Sequence, residues 1–191
     1  MLNKIRSAVT GQSHEVVDPN LPHSAILIPI TDCLETPELV LTKRSEFLSR
    51  HAGEVCFPGG KWEEGDKSLE HTALRETHEE VGLSPALVEV LGQIPPVVSR
   101  SGLNVTPYVG IIDKQAELTP NPGELDSIFK VPLDYFLDHG NIQAYSIKYN
   151  GGSISTPSYR YDGYIIWGLT AYMILDLMNR SFDADLSFKI K

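Results

Sequence analysis

Residues 59–83, GGKWEEGDKSLEHTALRETHEEVGL from Gly59 to Leu83, decide how this sequence is read. Asp66 to Val81 has the composition of a helix, with Asp66 or Ser68 as its cap and Gly82 where a helix is expected to stop. Glu76, Glu79 and Glu80 then stand at i, i+3 and i+4, so three carboxylates crowd one face of the last turns. Like charges at this spacing repel by about a few tenths of a kcal/mol per pair, and the helix dipole disfavours anions there. Two explanations compete. One is a solvated acidic face, with Arg75 pairing Glu79 across a turn. The other is convergence on a hard divalent cation, which turns repulsion into coordination. The neighbouring Pro58-Gly59-Gly60 favours the second, because a glycine lets backbone groups approach a metal or phosphate closely. A phosphate-binding P-loop is excluded, since Val55 and Trp62 stand where it requires Gly and Ser/Thr.

Working outward, Ser24 to Ile30 and Glu38 to Arg44 read as strands, with Thr36-Pro37 marking the turn between them. Glu54 to Phe57 is a third extended piece, stopped by Pro58-Gly59-Gly60. Val88 to Val98 and Val105 to Ile112 read as further strands, and Gly123 to Asp126 as a short helical turn. Ile165 to Met178 is apolar at helical spacing and reads as a packed C-terminal helix, with Trp167 and Tyr172 in the core. Residues 1–22 form an arm or short helix. The order of strands, helix, strands and helix predicts an α/β fold, a mixed sheet flanked by helices on both faces.

The 191-residue length suits one domain, and 41% hydrophobic with 21% charged residues is ordinary for a soluble protein. The net charge of −9 excludes a nucleic-acid or anionic-membrane binder acting through its overall field. A polyanionic ligand would need a local basic patch or bound cations. Cys33 and Cys56 form no disulfide framework or zinc spacing and read as small buried thiols. With no apolar stretch behind the basic N-terminus and no run of about 20 apolar residues, a cytoplasmic location is expected.

Gly60, Arg75-Glu76, Glu79-Glu80, Gly82 and Leu83 resemble the Nudix box, G-x5-E-x7-R-E-U-x-E-E-x-G-U with U apolar. Asp66 replaces the first Glu, eight residues separate it from Arg75, and Thr77 occupies a U position. The one-residue extension resembles the coenzyme A pyrophosphatase branch of the family, which carries an upstream signature, L-[LIVM]-T-x-R-[SA]-x3-R-x3-G-x3-F-P-G-G. Here Leu41-Thr42-Lys43-Arg44-Ser45, Gly53 and Phe57-Pro58-Gly59-Gly60 follow it, while Val40 replaces the leading Leu and Ser49 the second Arg, with Arg50 next to it. The resemblance covers about residues 24–180 of a single domain spanning 1–191 and implies a Nudix-type α/β/α sandwich.

The resemblance further implies a hydrolase of nucleoside diphosphate derivatives with Mg²⁺ or Mn²⁺ on the box helix. Glu76, Glu79, Glu80 and the Gly60 carbonyl are the implied metal ligands. Arg75 orients a box glutamate, and Glu79 or Glu124 is the general base. The branch cleaves coenzyme A (CoA) or its thioesters to 3′,5′-ADP and 4′-phosphopantetheine or its acyl form. Lys43, Arg44, Arg50, Gly59 and Lys61 are the expected substrate contacts, His51 adding to the basic concentration. The alternative substrate is another small nucleotide, such as ADP-ribose or a dinucleotide. The expected partner is therefore a small molecule, not nucleic acid or membrane, and the oligomeric state stays open, with a homodimer as one option.

Overall fold

The computed structural model describes residues 1–149 and 152–188. In chain order the helices are α1 (Leu2–Val9), α2 (Leu69–Val81) and α3 (Gly168–Phe182). The strands are β1 (His23–Thr31), β2 (Glu38–Arg44), β3 (Val55–Cys56), β4 (Gly59–Lys61), β5 (Val88–Gln93) and β6 (Val97–Val98), then β7 (Asn104–Ile112), β8 (Leu125–Pro132), β9 (Gln143–Tyr149), β10 (Gly152–Tyr161) and β11 (Tyr164–Trp167).

The apolar run in β1 is explained by its position. It lies parallel to β7 from His23↔Asn104 to Thr31↔Ile112. On its other side it pairs antiparallel with β4 near its start and with β2 at Ile30↔Leu39. Both faces of the resulting mixed sheet are covered, so alternate residues enter two different cores. Ala25, Leu27 and Val40 pack on one face with Ala73 and Val81 of α2. Ile28, Ile30, Leu39 and Leu41 pack on the other with Ile5 and Val9 of α1 and Ile174 and Leu177 of α3. Each such side chain, fully buried, contributes about 1.5–3 kcal/mol. The expected mixed sheet between helical layers is therefore observed.

Several local expectations shift. α2 begins at Leu69, not Asp66: Ser68 Oγ accepts the His71 amide, and Gly82 ends the helix at φ 72°. β3 ends before Pro58-Gly59-Gly60 as expected, but Gly59–Lys61 then forms a strand of its own, β4, along β1. Ile94-Pro95-Pro96 breaks the long strand expected over Val88–Val98 into β5 and β6. Pro122 to Glu124 form a turn that leads into β8, which already includes Leu125 and Asp126, in place of the expected helical turn. Ile165 and Ile166 belong to β11, paired with Arg160 and Tyr159, so α3 starts only at Gly168. Trp167 is half-buried and Tyr172 is exposed, so neither is a core residue. Both cysteines are free and half-buried, not buried.

Candidate active site

β4 lies against the start of β1 while α2 crosses the same face, and this juxtaposition builds the site. Two glycines are needed here for different reasons. A Cβ on Gly59 would stand 2.4 Å from the Ala25 carbonyl oxygen and 2.5 Å from the Ile26 Cα. A Cβ on Gly60 would stand 2.3 Å from the Glu76 carboxylate carbon. The second glycine thus holds open the space that the Glu76 carboxylate fills. The Gly59 amide donates to Glu80 Oε2 at 3.1 Å, and Arg44 Nη1 lies 3.6 Å from Glu80 Oε1.

Arg75 organises the flank. Its Nε and Nη2 donate to the two Asp66 oxygens at 3.0 and 3.1 Å, and Nη2 also donates to the Lys61 carbonyl. Its Nη1 lies 3.0 Å from both Glu76 Oε1 and Glu79 Oε2. Asp66 is buried and also accepts from Thr72 Oγ1 and the Glu63 amide, with His71 Nδ1 2.8 Å away. The Arg75 guanidinium, first among these partners, holds the Asp66 carboxyl well below the usual carboxylate range.

Burial pushes Glu80 up to about 7 against the opposing pull of the Gly59 amide and Arg44, and it raises Glu76 as well. Glu124 adds to both shifts through its negative charge, so a residue 44 positions beyond Glu80 shares its field. The loop that carries it is tied to the end of α2: the Asn121 amide donates to the Glu80 carbonyl and the Thr119 amide to that of Val81. Glu76, Glu80 and the Gly60 backbone thus offer hard oxygen donors where carboxylates repel one another. That chemistry fits a divalent cation. Glu79 differs, being half-exposed and held outward by Arg75. Among the described residues no three His, Cys, Asp or Glu side chains form a ready-made metal cluster.

A cleft of about 270 Å³ opens beside this arrangement, its rim formed by Arg44, His51, Gly59, Gly60 and Lys61. Arg44 and Lys61 both line it. Gly59 lines the cleft, but its amide is engaged by Glu80. Lys43 instead pairs with Glu46 at 2.9 Å and lines a neighbouring cavity, because adjacent strand residues point to opposite faces. Arg50 is exposed on the loop and lines neither cavity, and Ser49 is exposed beside it. His51 reaches the cleft instead, with its Nδ1 2.8 Å from Glu54.

The chain matches the NUDIX domain family over residues 21–148. It belongs to the Nudix family. Curated relatives include the Nudix hydrolase NudL of Photorhabdus laumondii, described as uncharacterized, which is 42% identical over 158 residues, 83% of this chain and 84% of that one. NudL of Yersinia enterocolitica, also described as uncharacterized, is 42% identical over 157 residues, 81% of this chain and 79% of that one. Among solved structures, a MutT/nudix family protein from Enterococcus faecalis aligns with TM-score 0.55 at 15% identity, over 90% of this chain and 66% of that one. The NUDIX domain of Shewanella oneidensis NrtR, solved with ADP ribose, aligns with TM-score 0.50 at 23% identity, over 63% of this chain and 80% of that one. The chain is thus a Nudix hydrolase, a pyrophosphohydrolase of nucleoside diphosphate derivatives, in a family that generally uses divalent metal ions.

Both departures from the Nudix box have a local explanation. Asp66 is shorter than Glu and one residue further from Arg75, yet its two oxygens still receive the guanidinium fork. Thr77 is fully buried, and its hydroxyl donates to the Ala73 carbonyl at 2.6 Å, so an apolar position accepts a hydroxyl without leaving it unpaired. Trp167, Leu169 and Met173 from β11 and α3, with Leu103 and Val105, complete the Nudix cleft and were not expected to line it. Gly168, at φ 64°, could have signalled the break that turns Trp167 toward the cleft.

Proposed function

We propose that this Nudix hydrolase cleaves the diphosphate of CoA or its thioesters, releasing 3′,5′-ADP and 4′-phosphopantetheine or its acyl form. One observation carries the reading. The upstream signature and the Nudix box meet at the same cleft: Arg44, Phe57, Gly59 and Gly60 of the signature line it, and Arg44, Gly59 and Gly60 each adjoin Glu76 or Glu80. Two motifs that share Gly60 and otherwise occupy different segments therefore serve one site.

Glu76, Glu80 and the Gly60 carbonyl would hold the cation, with Glu79 as a further ligand once Arg75 releases it. We assign that cation as Mg²⁺ or Mn²⁺. Bound there, it supplies neutralisation of the diphosphate oxygens and acidification of water. Arg44 and Lys61 at the rim donate to phosphate oxygens. Arg75 holds Glu76 in place from the Asp66 anchor. The general base is Glu124 or Glu79; the charge of Glu124 on both buried glutamates supports Glu124. The reading places the enzyme in the cytoplasm as one domain over residues 1–191, with its core at about 24–180; no helix of the described residues is long and apolar enough to cross a membrane.

A second reading, another nucleoside diphosphate derivative such as ADP-ribose, is favoured by Ser49 at the signature Arg position and by the placement of Arg50 off the cleft. Purified protein incubated with CoA, ADP-ribose or NADH and either metal separates the two when products are identified by mass. Release of 3′,5′-ADP from CoA, abolished by chelator, is expected. Cleavage of ADP-ribose with none of CoA would overturn the first reading.

A further inference from the structure

A second cavity, of about 630 Å³, adjoins the catalytic cleft, and none of the residues described so far as catalytic occupies it. Glu54, Val55 and Trp167 line both, so the two form one path with the indole as the sill between them. The chemistry of the path changes along its length. In the first cleft, Ile26, Leu103, Val105, Leu169 and Met173 make an apolar wall beyond the charged rim. The hydroxyls in that wall are already engaged: Ser24 Oγ donates to the Asn104 carbonyl and Thr170 Oγ1 to the Val55 carbonyl, each at 3.1 Å. Both hydroxyls can still accept, so the preference of this wall for a methyl-bearing carbon comes from its five apolar side chains. The second cavity is polar, with Lys43, Tyr145, Asp162 and Tyr164 in its wall. Tyr145 lies against Trp167, ring centroids 5.1 Å apart, so the β9–β11 sheet braces the sill.

We infer that the second cavity is the binding site for an amide-bearing arm attached to the diphosphate, the pantetheine class of leaving group. The inference rests on the CoA reading and extends it. Outward from its phosphate, a pantetheine arm presents first a carbon bearing two methyl groups, next a carbon bearing one hydroxyl, and then two amides. That order matches an apolar cleft beside Gly59–Gly60 followed by a polar cavity beyond Trp167. The terminal ribose of an ADP-ribose-like substrate carries several hydroxyls and offers the apolar wall no methyl group. Trp167 and Tyr145 are specificity-determining residues in this arrangement, and the diphosphate stays at Arg44 and Lys61.

The test uses inhibition of CoA hydrolysis by the two product halves. Ala52 lines the second cavity from an exposed loop position, so Ala52→Trp fills it from outside the sheet. The expected result is a KM for CoA about tenfold higher and inhibition by 4′-phosphopantetheine weakened by a similar factor. Inhibition by 3′,5′-ADP keeps its wild-type constant. Weakened 3′,5′-ADP inhibition alone would assign the cavity to the nucleotide end, and equal weakening of both would mark a general distortion; either overturns the proposal, as do wild-type constants for both. If thermal melting shows that Ala52→Trp does not fold, Tyr145→Ala, which removes the brace behind Trp167, carries the same test. Wild-type protein that fails to cleave CoA sinks the CoA reading itself, whereas cleavage with an indifferent second cavity sinks only this extension.

Discussion

Replacing Gly60 by Ala adds one methyl group at the point where β4 faces the Glu76 carboxylate. The new Cβ would lie 2.3 Å from the Glu76 carboxylate carbon and 2.4 and 2.5 Å from its oxygens, against an ordinary contact of 3.4 Å or more. The backbone of β4 is fixed by its pairing with β1, so the flexible end of Glu76 must retreat, by about 1 Å. Misplacement on that scale at a reacting centre costs about 10²-fold in rate. Stability changes little, because what gives way is the 3.0 Å contact between Glu76 and Arg75, a partly exposed pair worth up to about 1 kcal/mol. For a chain of this length that is a shift in Tm of about 2–4 °C. Gly59→Ala supplies the contrast. Its Cβ meets backbone atoms that cannot swing aside, at a φ of +151°, so the edge of the sheet must open at a cost of about 2–5 kcal/mol. Steady-state hydrolysis of CoA with Mg²⁺, measured beside thermal melts of both variants, decides the matter. Gly60→Ala with wild-type kcat/KM, or with a Tm depressed as far as that of Gly59→Ala, would refute the argument.

Further predictions follow from the same geometry. Glu76→Gln and Glu80→Gln each lower kcat/KM by about 10²-fold or more while urea midpoints stay near wild type, since removing a buried charge relieves repulsion. Saturating Mn²⁺ stabilises the wild type by about 2.7 kcal/mol at a hundredfold excess over its Kd, seen as a rise in Tm that EDTA reverses and Glu80→Gln abolishes. Asp66→Asn leaves Arg75 without its anchor and costs about 2–3 kcal/mol at pH 7 in urea titrations. Because the folded-state pKa of Asp66 lies below its unfolded value, its contribution is full above about pH 4 and lost as pH falls through the folded value, so the variant shows a flatter loss of stability in acid. Iodoacetamide at pH 8 modifies Cys33 before Cys56: hydrogen bonds from Thr36 lower the Cys33 thiol, whereas burial pushes Cys56 up to about 11, an order peptide mass mapping reads directly.

The parts of the fold legible in the sequence were those with a strong local signal. The apolar runs of β1 and β7 announced buried strands, and the Ser68 cap with Gly82 bounded α2. The three-stranded sheet of β9–β11 was not anticipated, although Asp162-Gly163 between Tyr161 and Tyr164 is a hairpin signal and both residues adopt positive φ, 46° and 81°. Ile165 and Ile166 misled because a short apolar run reads equally as strand or helix until its partner strand is known. The site follows the same rule. Residues on one helix, Glu76, Glu79 and Glu80, could be related by periodicity, although the pairing of Glu79 with Arg75 sets it apart from the other two. Which of Lys43, Arg44 and Arg50 reaches the cleft depends on how β2 and its following loop are oriented, which no spacing specifies.

The charge of the chain also acquires a physical meaning. A protein with a net charge of −9 brings Glu76, Glu80 and Glu124 into one field, against which the guanidinium groups of Arg75 and Arg44 act. Arg75 is committed to Asp66, and Arg44 sits 3.6 Å from Glu80 with its Nε buried and unpaired. Neither neutralises the pair of buried glutamates fully, which is why burial can carry Glu80 up to about 7. A cation entering between them would relieve the repulsion and release Arg44 toward the cleft it already lines, where a diphosphate would meet it. The acidity of the protein and an anionic substrate would then be compatible because the binding cations are local: one ion that the box helix would hold, and the few basic side chains that line the cleft.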